Sequence, residues 1–195
     1  MKKILILRHA DWDLRNDTLT DEAKAACTAL KPQLPPVTLV ISSSLNRAIE
    51  CANLLTGQQP TIDDRAAFPK LEPETFAQIA IARRTHPLGV AGSIFAIPAA
   101  REPYRAQAAL FLELVKETLA KLTGEQTALI VSHDGIMVAL EKLLDNSSFE
   151  GTDHSYAQLE GFFLDENLAQ TPFKPAPPPP PPVGTSSSEF GLVQP

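Results

Sequence analysis

Four side chains in this sequence have the types needed to hold and attack an oxyanion: Arg8, His9, Arg47 and His133. Each closely follows an apolar run. Ile4 to Leu7 stops at Arg8-His9, Val37 to Ser42 is followed by Ser43-Ser-Leu-Asn-Arg47, and Thr127 to Ser132 is followed by His133-Asp-Gly135. Arginine offers paired planar donors that match phosphate oxygens. A neutral imidazole nitrogen can attack phosphorus and form a phosphohistidine, dividing one difficult displacement into two easier ones. The attacking nitrogen must be unprotonated, and the other must be held by an acceptor that fixes the tautomer. Fixed positive donors must face the phosphoryl oxygens as charge redistributes, a task open to both arginines and to a protonated His133. Two arginines and two histidines brought into one small volume therefore make an anion site with a nucleophile in it, and the natural anion is phosphate.

Such convergence requires that the three runs lie side by side. Ile4 to Leu7 shows no alternation and reads as a buried strand, with a helix as the alternative for so short a run. In open α/β sheets, ligands bind outside the carboxyl ends of the strands, where these motifs would fall. The expected fold is a three-layer α/β/α sandwich with a mostly parallel central sheet. Thr20 predicts the cap of a helix running to Leu30, and Ser44 the cap of one running to Leu55 that ends at Gly57. Arg47 would lie in the first turn of that helix, beside free N–H groups that favour an anion. Further helices are expected over Thr75 to Arg84, Pro103 to Leu122 and Ile136 to Leu144, the second with Leu110, Leu114 and Leu119 near one face. Residues 85–93 read as a loop, and Ser155 to Leu164 as a last strand.

Leu7-Arg-His-Ala10, Ser42-Ser-Ser-Leu-Asn-Arg-Ala48 and Ser132-His-Asp-Gly135 resemble the three signatures of the histidine phosphatase superfamily, the phosphoglycerate-mutase-like phosphatases, in order and at similar spacing over residues 1–165. The resemblance implies a phosphoglycerate-mutase-like fold and metal-independent hydrolysis of a phosphate ester through a phosphohistidine. It makes His9 the nucleophile, His133 a phosphate-pocket residue, and Arg8 and Arg47 the pocket arginines. A glutamate between the second and third motifs would protonate the leaving group. Glu72 is the candidate and Glu74 the reserve, either being equally at home in the first turn of a helix. Arg15 or Asn16 stands near the position of a usual substrate-binding asparagine. Ala10 replaces a usual glycine, Ser44 a common proline and Cys51 a common threonine, and none removes a group the chemistry needs.

Within the family, the alternatives are a phosphohistidine protein phosphatase of the compact branch, suggested by Pro69-Lys-Leu-Glu-Pro73, and a mutase. The mutase is disfavoured because only about 85 residues separate Arg47 from His133. The substrate would be a small phosphorylated metabolite or a phosphoprotein. A reading from another class is a catalytically silent phosphate-binding module that docks through its Pro-rich tail.

The remaining sequence bounds these expectations. The net charge of −6 argues against non-specific nucleic-acid binding and attraction to membrane surfaces. Apolar residues make up 44% of the chain, enough for one core. Cys27 and Cys51 lack metal-ligand spacing and read as small buried apolar residues. No cofactor or metal is expected, and Asp11, Asp13 and Asp17 read as an ordinary polar loop. Trp12 could line the pocket mouth or pack on the domain. The start is too short for a signal peptide and no run suits a membrane span, so a cytoplasmic protein is expected. Arg83, Arg84 and His86 could grip a second anionic group or simply suit a helix end. Composition divides the chain into a catalytic unit over 1–168 and a Pro/Ser-rich tail over 169–195. Six consecutive prolines from Pro177 to Pro182 would form a rod of roughly 19 Å, at about 3.1 Å per residue.

Overall fold

The computed structural model describes residues 1–85 and 89–176. Its first apolar run is strand β1 (Lys3–Arg8), in which Ile4, Leu5, Ile6 and Leu7 are all fully buried. Successive strand residues point to opposite faces. Ile4 and Ile6 accordingly join one apolar cluster, and Leu5 and Leu7 another. Cover on both faces explains why the run shows no alternation.

A small hairpin, β2 (Trp12–Asp13) and β3 (Thr18–Leu19), leads to α1 (Asp21–Leu30), β4 (Val37–Ser42), α2 (Asn46–Thr56) and β5 (Thr61–Ile62). Next come α3 (Pro73–Thr85), α4 (Gly89–Phe95), α5 (Pro98–Lys121), β6 (Thr127–Ser132), α6 (Asp134–Leu144), β7 (Gly161–Asp165) and β8 (Gln170–Phe173). The main sheet has the order β5-β4-β6-β1-β7-β8. Strands β5, β4, β6 and β1 pair in parallel, while β7 runs antiparallel to both β1 and β8. Buried residues of α1 and α2 cover one face, and those of α4, α5 and α6 cover the other. The fold is the three-layer, mostly parallel α/β/α sandwich that the motif spacing requires.

Several local expectations are corrected. Thr20 caps α1 through Ala23 N–H, but Ser44 caps nothing: α2 starts at Asn46, and the Asp17 carboxylate takes its first N–H instead. Residues 89–93 lie in helix α4 rather than a loop, packed by Ala91, Ile94 and Phe95 into the core. Leu110 is exposed, because the buried stripe of α5 runs through Tyr104, Ala108, Phe111 and Val115. The last long strand begins only at Gly161; Leu159 before it has a left-handed backbone, which ends the regular strand although its N–H still donates to the Arg8 carbonyl. Strand β8 carries the sheet past residue 168, into the stretch that composition alone assigned to the tail. The proline run lies outside the described residues.

Gly161 sets how β7 meets the strand that carries the first motif. It pairs with Leu7, and a Cβ there would lie 1.8 Å from the Ile6 carbonyl oxygen. No side chain can yield, because the obstacle is backbone. Gly161→Ala is expected to destabilise the protein by about 3 kcal/mol, the upper end of overpacking costs. Urea denaturation checks this, and a loss below about 1 kcal/mol would mean that β7 shifts freely.

Candidate active site

Strands β1, β4 and β6 are adjacent and parallel, so their three motifs meet at one edge. Arg8 pairs with Ser132 at the strand ends, and His9 N–H donates to the Ser132 carbonyl at 3.1 Å. His9, Arg47 and His133 are buried, with 6%, 7% and 6% of their surfaces exposed. The His9 and His133 rings meet edge to face with centroids 5.0 Å apart. The structure thus brings together His9, Arg47 and His133, with Arg8 directly beside them.

The hydrogen bonds of His9 fix its tautomer. Nδ1 lies 2.6 Å from the Ala10 carbonyl oxygen, which can only accept, so Nδ1 carries the proton. Nε2 therefore presents its lone pair, and Arg47 Nε–H donates to it at 3.1 Å. Burial, aided by the charges of Arg47 and Arg8, lowers the His9 pKa from 6.5 to about 4. The imidazole is neutral at ordinary pH.

His133 suits the phosphate pocket by position, and its surroundings disfavour the protonated form. Burial, with the charges of Arg47 and Arg8 nearby, pushes its pKa well below 6.5 and favours the neutral ring. Nε2 lies 2.8 Å from Ser43 Oγ, while the buried Nδ1 has no partner. A neutral ring that accepts from Ser43 at Nε2 still offers one N–H at Nδ1. Phe68 packs edge-on against the same ring, with centroids 5.4 Å apart.

Arg8 is held from behind. Its Nη1 donates to the Tyr156 carbonyl, and its buried Nε has no partner. Asp134 takes the Tyr156 N–H at 2.6 Å with one carboxylate oxygen and the Ala91 N–H at 3.1 Å with the other. Asp134 thus ties α4 and the 155–156 segment to the start of α6, and through Tyr156 positions Arg8. Burial holds the Arg8 guanidinium below its ordinary pKa and raises that of the Asp134 carboxyl.

Arg47 has three partners. Besides His9, its Nη1 donates to Asp17, and its guanidinium carbon sits 4.1 Å from the centre of the Trp12 ring. Trp12, open to two readings from sequence, therefore lines the site by stacking on Arg47. Arg15 and Asn16 are not brought in. Both are exposed in the β2–β3 turn, where the Arg15 N–H and the Asn16 amide bind Asp13. The neighbour that reaches the pocket is Asp17, at φ 53°. Its place before Thr18 gave no chemical signal beyond the tolerance of Asp for left-handed turns.

Glu72 lies just before α3 and Glu74 in its first turn, and both are exposed. Arg83 and Arg84 occupy the last turn of α3, and Arg83 is close enough to depress the Arg8 pKa further. His86 lies outside the described residues. Cys27 and Cys51 are buried side by side, with sulfurs 3.6 Å apart. Among the described residues, no group of three or more His, Cys, Asp or Glu could hold a metal, and no helix is long and apolar enough to cross a membrane.

No protein-family model and no curated protein matches the sequence. Solved structures do match. A mycobacterial glucosyl-3-phosphoglycerate phosphatase in complex with VO3 is similar at 20% identity and a TM-score of 0.65, covering 89% of this chain and 98% of that one. A phosphoglycerate mutase from Bacillus anthracis is similar at 17% identity and a TM-score of 0.56, covering 88% and 91%. A phosphoserine phosphatase from Entamoeba histolytica is similar at 14% identity and a TM-score of 0.56, covering 89% and 96%. At these identities the likeness is one of fold.

Proposed function

This chain has the phosphoglycerate-mutase-like fold of the histidine phosphatase superfamily, and on that premise we propose that it is a phosphatase that works through a phosphohistidine on His9. The observation that carries the reading is the tautomer of His9: Nδ1–H is spent on the Ala10 carbonyl, and the Nε2 lone pair faces the Arg47 guanidinium. A phosphoryl group drawn to Arg47 arrives in front of that lone pair.

The reaction has two displacements. In the first, Nε2 forms a bond to phosphorus as the bond to the leaving oxygen breaks and its electron pair departs with the alcohol. Arg47 Nε–H must leave Nε2 for a phosphoryl oxygen as this happens, which moves positive charge onto the group that gathers negative charge. Arg8 is the other donor, joined by His133 in the tautomer that carries its proton on Nδ1. The alkoxide released in the first displacement needs a proton, and Glu72 or Glu74 is the proposed source. In the second displacement, water attacks phosphorus, the P–N bond returns its electron pair to Nε2, and the water's proton passes to that same glutamate and restores it. Neither displacement uses a metal ion.

The carboxylates at the pocket itself are engaged, Asp17 with Arg47 and Asp134 with backbone N–H groups, whereas Glu72 and Glu74 are exposed. That favours leaving groups that need little acid help, and gives a second reading, a phosphohistidine protein as substrate. Arg83 would suit a substrate with a second anionic group.

The test is hydrolysis of an aryl phosphate in the presence of a chelator, followed across pH. An aryl oxide leaves without strong acid help, so the result does not depend on which glutamate donates. Turnover is expected to survive the chelator. Protonation of Nε2 removes the lone pair, so a pKa lowered to about 4 keeps His9 competent down to that pH. An unperturbed imidazole would lose about tenfold in kcat/KM by about one pH unit below its pKa. Turnover abolished by the chelator would contradict the reading, and an acid limb near pH 6.5 beyond that of the substrate's own ionisation would show that the His9 pKa is not depressed.

A further inference from the structure

The Asp17 carboxylate sits where an oxyanion would be expected. One oxygen accepts from Arg47 Nη1, and the other accepts at 2.9 Å from Asn46 N–H, the first amide of α2. These are a guanidinium N–H and a helix N-terminal N–H, the pair of donors that a phosphoryl oxygen would use at this edge. The Asp17 side chain is 28% exposed against 9% for Arg47, so it is the more open member of the pair. A left-handed backbone at φ 53° turns it inward from the β2–β3 hairpin. Its negative charge also faces any incoming anion at contact range, where like charges repel strongly.

We propose that Asp17 sets the affinity of this pocket for phosphoryl groups: it competes for the donors that Arg47 and α2 offer, and so keeps inorganic phosphate, the product, weakly bound. The inference rests on the reading of this pocket as a phosphoryl site. An anion that enters must displace the carboxylate from Arg47, which also frees Arg47 from its present geometry over His9. A substrate with further contacts outside the pocket can meet that cost; free phosphate, which has only the pocket, cannot.

The test measures binding of inorganic phosphate to the full chain by calorimetry, in wild type, Asp17→Asn, Asp17→Gly and Arg47→Ala. Asparagine tolerates the left-handed backbone and still accepts from Asn46 N–H, so Asp17→Asn removes the charge and keeps the cap. Glycine suits the same backbone and removes both bonds. Both variants are expected to bind phosphate about tenfold more tightly than wild type, the scale of losing one close like charge, and Arg47→Ala to lose binding. A purely structural role for Asp17 predicts the opposite sign, because a loosened turn would misplace Arg47. Equal or weaker phosphate binding in both Asp17 variants, with binding still lost in Arg47→Ala, overturns the proposal and leaves the pocket standing. Phosphate binding that is indifferent to Arg47→Ala, or not detected in any of the four proteins, overturns the pocket reading and the proposal with it.

Discussion

Replacing His9 with alanine is expected to lower turnover of an aryl phosphate by ten-thousandfold or more, on the order seen when a covalent nucleophile is removed. The loss is that large because no other group at the pocket can take its place. His133 is the other imidazole there, and its Nε2 is spent on Ser43. The two rings meet edge-on at 5.0 Å, so they do not offer equivalent lone pairs to one phosphorus atom. The fold should tolerate the change. His9 lies just past the end of β1, and the strand's apolar side chains, Ile4 to Leu7, are untouched. The cost to stability is two side-chain bonds, to the Ala10 carbonyl and from Arg47 Nε–H, about 1–3 kcal/mol together. Loss of activity with an unchanged circular dichroism spectrum and a melting shift of a few degrees is the expected pattern. Retention of more than a hundredth of the wild-type rate would show that His9 is not the attacking group.

Arg47→Ala is expected to cost about a hundredfold to a thousandfold in kcat/KM, the range for losing one preorganised oxyanion donor. Three contacts give the arginine this weight: Nε on His9, Nη1 on Asp17, and the guanidinium against Trp12. Lysine should restore little, because its point charge cannot face His9 and a phosphoryl oxygen with a rigid fork. The variant also carries a pH signature. Arg47 is one of the charges that depress the His9 pKa, so its removal must raise that pKa and move the acid limb of the rate profile upward. A rate loss with an unmoved limb would mean that Arg47 acts on the substrate alone and not on the nucleophile.

The parts of this site that were legible in the sequence were those bound to strand ends. An apolar run buried on both faces can be read from its lack of alternation, and the parallel sheet then places the residues at its carboxyl end. That logic located Arg8, His9 and His133 correctly at one edge. Arg47 was placed in the first turn of a helix, as it is, but for a reason that failed: Ser44 does not cap, and Leu45 stands at the cap position without a side-chain bond. The cap arrives from residue 17, which lies 29 positions upstream of Asn46 and could be matched to it only in three dimensions. The same holds for Trp12 against Arg47, and for Asp134 reaching Arg8 through Tyr156. Arg15 and Asn16 are suggested by their nearness to the first motif, but a tight hairpin turns them out and Asp17 in. Helix α4 was hidden by its composition. Gly89, Gly92 and Ser93 look like loop residues, yet Gly92 and Ser93 are buried within it.

The most direct measurement is a search for the phosphorylated enzyme. Wild type and His9→Ala would be mixed with an aryl phosphate, quenched in alkali to preserve a phosphoramidate, and digested for mass spectrometry. A phosphohistidine mechanism predicts one added phosphoryl group on His9, at Nε2, in the wild type and none in the variant. A phosphoryl group on His133 or on any other residue, or steady turnover with unmodified His9 at every quench time, would contradict it.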